Sequence, residues 1–209
     1  ADYLKKLSKI DYISVREKNL VEPLEKLLNK QVKNVVDPTL LLNLDEWDNY
    51  LDKTEYFPQN YIFAYVVEPD SEFIKAVNFL VEQTGYEVIH AGLKNPGFKG
   101  KVTSIYSLGP FSFINYIKNA KYVLTTSFHA TIFSIIFHKE FYTIPHKKTG
   151  SRVTELLKQI QLEDKIFNSS LELSKKINQE KTNWLEVDNN LNKLINESKD
   201  WINTVIVDK

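Results

Sequence analysis

The 209-residue chain has no cysteine and no methionine. The lack of cysteine excludes disulfides, thiolate metal sites and a cysteine nucleophile. With no methionine even at position 1, the chain is expected to be a processed product or a piece of something longer. Glycine is scarce, at six residues, and none falls in a Gly-x-Gly-x-x-Gly run or a Gly-Lys-Ser/Thr loop. A dinucleotide fingerprint and a P-loop are therefore both absent. No Gly-x-Ser-x-Gly elbow supports a serine hydrolase. No apolar stretch approaches the roughly 20 residues that a membrane helix needs. The start, Ala1-Asp2-Tyr3-Leu4-Lys5-Lys6, lacks the apolar segment of a signal peptide, and a cytoplasmic protein is expected. Charge excess is missing too: 27 Lys+Arg meet 27 Asp+Glu, which argues against nucleic acid as a partner. Histidines and carboxylates show no metal-ligand spacing, so no metal is expected.

What is present suits a globular core, with 43% hydrophobic and 26% charged residues. Short apolar runs at 12–15, 35–36, 61–67, 87–89, 122–125 and 141–144 read as strands, and 102–106 as a short extended piece. Helical spacing of apolar residues appears at 20–28, where Leu24, Leu27 and Leu28 share a face, and after Ser71, which is expected to cap. Further helices are expected at 45–51, from Pro110, at 128–137 and at about 152–160. The strands are apolar throughout rather than alternating, so they predict a parallel α/β sheet with helices on both faces. Beyond residue 170 the strand signals stop and polar, then amphipathic, helices are predicted. The expected division is a Rossmann-like domain at 1–170 and a helical extension at 171–209.

Ligands of open α/β sheets bind outside the carboxyl ends of the strands. The strands above place Arg16, Asp37, Glu68, His90, residues 126–129 and residues 146–152 there. The stretch Thr125-Thr126-Ser127-Phe128-His129 stands out, because a strand ends in hydroxyls and a helix that is apolar almost all round follows. Ser127 is expected to cap that helix. His129 then occupies its first turn, where N–H groups and the positive dipole end favour anions and a histidine can exchange a proton near neutral pH. The residues alone suit a structural and a catalytic His129 equally. Arg16 can pair with Glu17 or Asp37 or bind an anion. His90 suits a backbone hydrogen bond at a strand end. His138 suits a helix C-terminus, where a cation meets the negative dipole end. His146, Lys147 and Lys148 form a basic loop, which reads as solvated charge or as a phosphate contact. Arg152 near a helix start works against the dipole, a local conflict of the kind found at functional sites.

Several stretches fall in an order that resembles the polysaccharide pyruvyl transferase family. They are Ile13-Ser14-Val15-Arg16-Glu17, Val36-Asp37-Pro38-Thr39-Leu40-Leu41, Gly109-Pro110 with Phe113-Ile114, residues 120–129, Ser151-Arg152 and Leu162-Glu163-Asp164-Lys165. Each is common alone, and their order across roughly residues 5–170 carries the resemblance. It implies one half of a GT-B type fold, with an N-terminal half missing from this chain. It implies transfer of the enolpyruvyl group of phosphoenolpyruvate onto a sugar of a bacterial surface polysaccharide, with no cofactor beyond that donor. His129 matches the family's motif histidine and is the expected proton donor. Arg16, Ser127, Lys148 and Arg152 are the expected substrate contacts. Ala130 stands where members often carry glycine, which narrows the site. A lipid-linked saccharide acceptor would bring peripheral membrane association. Two other outcomes are a nucleotide-sugar-binding glycosyltransferase domain and a non-enzymatic half-molecule; this chain alone is expected to be inactive.

Overall fold

The computed structural model describes residues 2–66, 70–92, 94–145, 150–177 and 181–207. The expected site residue Lys148, with His146, Lys147 and Glu68, lies outside them. The chain divides into two compact units, Ala1–Leu41 with Leu185–Lys209, and Leu42–Trp184, so neither is bounded at residue 170.

In the first unit, α1 (Asp2–Leu7) precedes β1 (Ile13–Val15), a 3₁₀ turn (Lys18–Leu20) and α2 (Val21–Leu28). β2 (Val32–Asn34) then pairs in parallel with β1, Ile13 opposite Val32. The expected strand at 35–36 is thus displaced: the ladder takes Val32, and Val36 instead donates its N–H to Ser198 Oγ at 3.0 Å. On α2 only Leu28 is buried, and Leu27 is exposed, so the expected three-leucine face is not fully covered.

In the second unit, α3 (Leu44–Asp48) is held by a capping box between Asn43 and Glu46. β3 (Tyr61–Tyr65) leads to α4 (Ser71–Thr84), and β4 (Glu87–Ala91) to β5 (Val102–Ile105). The cap of α4 is Asp70, not Ser71: its carboxylate accepts from Phe73 N at 2.8 Å. Gly85 ends α4 in the left-handed region, φ 68°, which suits a residue without Cβ. α5 (Pro110–Asn119) starts on its proline, β6 (Tyr122–Thr125) leads to α6 (Phe128–Ile136), and β7 (Glu140–Thr143) to α7 (Ser151–Gln159). α8 (Ser170–Lys176) closes the unit. α9 (Trp184–Val207) is the expected long C-terminal helix and belongs, from Leu185 on, to the first unit.

The five strands of the second unit form one parallel sheet in the order β5-β4-β3-β6-β7. Their apolar sequences are explained by burial on both faces: Tyr61, Ile62, Phe63 and Ala64 are all fully buried. Side chains alternate across the pleat. Ile62, Ala64, Val88, Leu124 and Tyr142 pack with Phe73, Val77 and Leu80 of α4 and Leu173 of α8. On the other face, Phe63 and Tyr65 meet Phe113 of α5, and Phe113 meets Phe133 of α6. This is the expected Rossmann-like α/β architecture with helices on both faces. No helix among the described residues is long and apolar enough to cross a membrane.

Candidate functional site

From β3 the chain winds outward through β4 to β5, and from β6 it winds the other way to β7. The carboxyl ends of β3 and β6 therefore flank the topological switch, where open α/β sheets bind ligands. The turn after β6 is tied to β3 by Thr125, whose Oγ1 donates to Tyr65 O at 2.7 Å and accepts from Ser127 N at 2.9 Å. Ser127 caps α6 as expected, its Oγ accepting from Ala130 N, while Thr131 Oγ1 donates back to Ser127 O at 3.0 Å. Hydroxyl residues here satisfy backbone groups that a strand-to-helix turn leaves over.

Residues 130–136 of α6 are all buried, so this helix is held in the core on nearly every side. Its first turn differs: Phe128 is half-buried and His129 is exposed. Among the described residues, the Phe128 ring meets one titratable and one charged group. The His129 ring meets it edge-on, centroids 5.6 Å apart. The guanidinium of Arg152, from the first turn of α7, sits 5.2 Å from its centroid. The attraction between a guanidinium and a ring face supplies at this helix start what the dipole withholds. Ser127, His129 and Arg152 thus form one group, with a proton carrier and a bidentate-capable cation beside a helix N-terminus. Such a set suits a small carboxylate or phosphate ligand.

Arg16 belongs to the other unit, just past β1. It donates to the buried carboxylate of Asp37, the ion-pairing reading that its sequence position allowed. Thr39 also donates to Asp37, through its N–H at 3.0 Å and its hydroxyl at 2.7 Å. Burial alone would raise the Asp37 pKa, but the hydrogen bonds from Thr39 and Arg16 outweigh it and hold the carboxyl below its ordinary value.

Two expectations for the strand ends need correction. His90 has the backbone partner expected of it, its Nδ1 3.2 Å from Ala64 O, but it lies within β4 rather than at its end; it is 5% exposed and Phe98 packs edge-on against its ring. A longer β4 carries it into the core and away from the ligand edge. Asp37 and Arg16 adjoin a separate two-stranded sheet, so the strand ends do not all belong to one sheet. His138 keeps its expected place after α6, at φ 50°, and its ring stacks on Trp184 at 4.7 Å.

Sequence reasoning missed the ring of Phe128 as the common neighbour of His129 and Arg152, because Arg152 comes from a different helix. It also missed Thr143, the register partner of Thr125, whose fully buried hydroxyl has no partner among the described residues. No group of metal-ligating side chains occurs among the described residues.

A family model described as polysaccharide pyruvyl transferase matches residues 2–148. No curated protein matches the chain. Among solved structures, the chain is similar to S. aureus MnaA in a co-structure with UDP, at 15% identity and TM-score 0.58, over 92% of this chain and 60% of that one. It is similar to the Candida albicans trehalose-6-phosphate phosphatase N-terminal domain, at 9% identity and TM-score 0.56, over 98% and 59%. It is also similar to Methanocaldococcus jannaschii UDP-GlcNAc 2-epimerase in complex with UDP-GlcNAc and UDP, at 14% identity and TM-score 0.53, over 88% and 60%. At these identities the likeness is one of fold, in keeping with the expected GT-B type, and the chain spans about three fifths of each of those chains or less.

Proposed function

The chain belongs to the polysaccharide pyruvyl transferase family, and from that premise we propose that the start of α6 handles phosphoenolpyruvate as the donor of a pyruvyl group to a surface-polysaccharide sugar. The reading is carried by the grouping of His129 and Arg152 about Phe128 at a capped helix N-terminus. The imidazolium of His129 gives its proton to the methylene carbon of phosphoenolpyruvate, which becomes the methyl of pyruvate. The adjacent carbon becomes oxocarbenium-like. One sugar hydroxyl adds to it and releases its proton, phosphate leaves with the C–O electron pair, and a second hydroxyl closes the ketal. Arg152 holds the donor's carboxylate or phosphate through its guanidinium fork, and the Ser127 end of α6 supports the same negative charge. Arg16 and Lys148 enter as further anion contacts on the family resemblance. No cofactor beyond the donor is proposed.

We propose two further partners for this site. A further domain of the same protein supplies the opposite wall, and the acceptor is a lipid-linked saccharide met at the cytoplasmic membrane surface. A chain spanning about three fifths of the structures it resembles supports the first of these.

A nucleotide-sugar reading is favoured by one observation, the shared fold with structures solved with UDP. A helix N-terminus holds a diphosphate as well as a phosphate. The two are separated by titrating the intact protein with phosphoenolpyruvate and with UDP-sugars while following the His129 ring by NMR. Saturable phosphoenolpyruvate shifts support pyruvyl transfer. UDP-sugar shifts with none from phosphoenolpyruvate would replace it.

A further inference from the structure

A cavity of about 520 Å³ lies wholly within the first unit, at the amino-terminal ends of β1 and β2. Arg16 follows the opposite, carboxyl end of β1, so the cavity is not the place where that arginine would meet an anion. Its size falls in the range of small-ligand pockets. Asp11, Glu25, Lys30, Gln31, Lys33 and Trp201 are among its walls.

The wall chemistry selects the ligand. Two carboxylates and two ammonium groups cancel, so neither an anion nor a cation is favoured. The carboxylates and the Gln31 carbonyl accept hydrogen bonds; the ammonium groups and the Gln31 amide donate them. Some of these groups are already set in place. Glu25 Oε1 accepts from Val32 N at 3.1 Å, and Lys30 Nζ donates to Ile10 O at 2.9 Å. The indole of Trp201 adds a broad apolar surface with one polar atom. A neutral ligand dense in hydroxyls, with an apolar C–H face to lie on an indole, meets each of these features. We propose that this cavity binds a neutral saccharide segment, a second carbohydrate site apart from the start of α6. For a family that acts on a polysaccharide, such a site would hold a part of the polymer other than the reacting sugar; that use rests on the functional reading above, while the binding does not.

The test is an NMR titration of the intact protein, following the Trp201 indole N–H. The probes are cellotetraose, maltotetraose and galactotetraose, with inorganic phosphate as the anionic comparison. The expected result is a saturable shift from at least one tetrasaccharide and none from phosphate. An Asp11→Asn/Lys33→Gln variant, which keeps side-chain size, is expected to weaken that saccharide about tenfold or more, the worth of one charge-assisted hydrogen bond. Silence from all three saccharides, a shift from phosphate instead, or unchanged affinity in the folded double variant would each overturn the proposal. Phosphoenolpyruvate binding is followed separately on His129, so failure at one site does not alter the result at the other.

Discussion

Arg152 holds its guanidinium 5.2 Å from the centroid of the Phe128 ring, and that ring is also the edge-on neighbour of His129. A residue with no hydrogen-bonding side chain therefore stands between the expected proton donor and the expected anion clamp. Phe128→Leu keeps the bulk and removes the π face. It is expected to raise KM for phosphoenolpyruvate severalfold, since a cation–π contact at a partly exposed site is worth about 0.5–1 kcal/mol. Steady-state kinetics on the intact protein check this; an unchanged KM would show that the ring does not position Arg152.

Arg152→Lys keeps the charge and loses the fork. The expected effect is larger than for Phe128→Leu, about tenfold or more in kcat/KM, because a lysine cannot engage a carboxylate or phosphate in two parallel hydrogen bonds. Equal kinetics for the lysine variant would reduce Arg152 to a general positive charge.

The Asp37 carboxyl is held below its ordinary pKa, so its contribution to stability has a definite sign. A carboxylate with a lowered folded-state pKa stabilises the fold at pH above its unfolded value, and that stability is lost as pH falls through the folded value. Asp37→Asn is expected to cost about 1.5–3 kcal/mol at neutral pH, the range for hydrogen bonds to a charged group. The difference from the parent should shrink as the medium is acidified below about pH 4, the ordinary aspartate value. Thermal melts across that range test it; a gap that widens in acid would contradict the sign.

Gly92 packs against the imidazole of His90, and a Cβ there would lie 2.4 Å from Nε2. The ring has little room to yield, being buried with Nδ1 near Ala64 O and Phe98 packed edge-on against it. Gly92→Ala is expected to cost about 1–3 kcal/mol, as overpacked cores do. In a double-mutant cycle, His90→Ala should recover part of that loss; strictly additive effects would show that the clash is relieved elsewhere.

Some of the fold was readable from the chain and some was not, for physical reasons. β6 and the capped start of α6 were legible because an apolar run, a capping serine and an apolar helix are all local signals. β2 was not: Val32-Lys33-Asn34 holds one apolar residue, whereas the neighbouring Val35 and Val36 look more strand-like. Its place in a two-stranded sheet apart from the other five depends on pairing between distant strands, which no local pattern encodes. Asp70 and Ser71 are both good caps one residue apart, and sequence alone could not choose between them. At the site, Ser127 and His129 share one turn and were found together. Arg152 was singled out by its conflict with the helix dipole, but the ring that resolves the conflict is visible only in three dimensions. Arg16 was grouped with them on strand ends that prove to belong to different sheets.

The proposed reaction turns on His129 delivering a proton to the donor. His129 is exposed in the first turn of α6, so its removal should leave the fold standing. The decisive measurement is phosphoenolpyruvate-dependent pyruvyl transfer by the intact protein with and without His129→Ala, using its own polysaccharide as acceptor and a melting curve beside it. The predicted result is a loss of roughly hundredfold or more in kcat, as for other positioned acids, with melting and phosphoenolpyruvate affinity little changed. Transfer near the parent rate in a folded His129→Ala protein would contradict it.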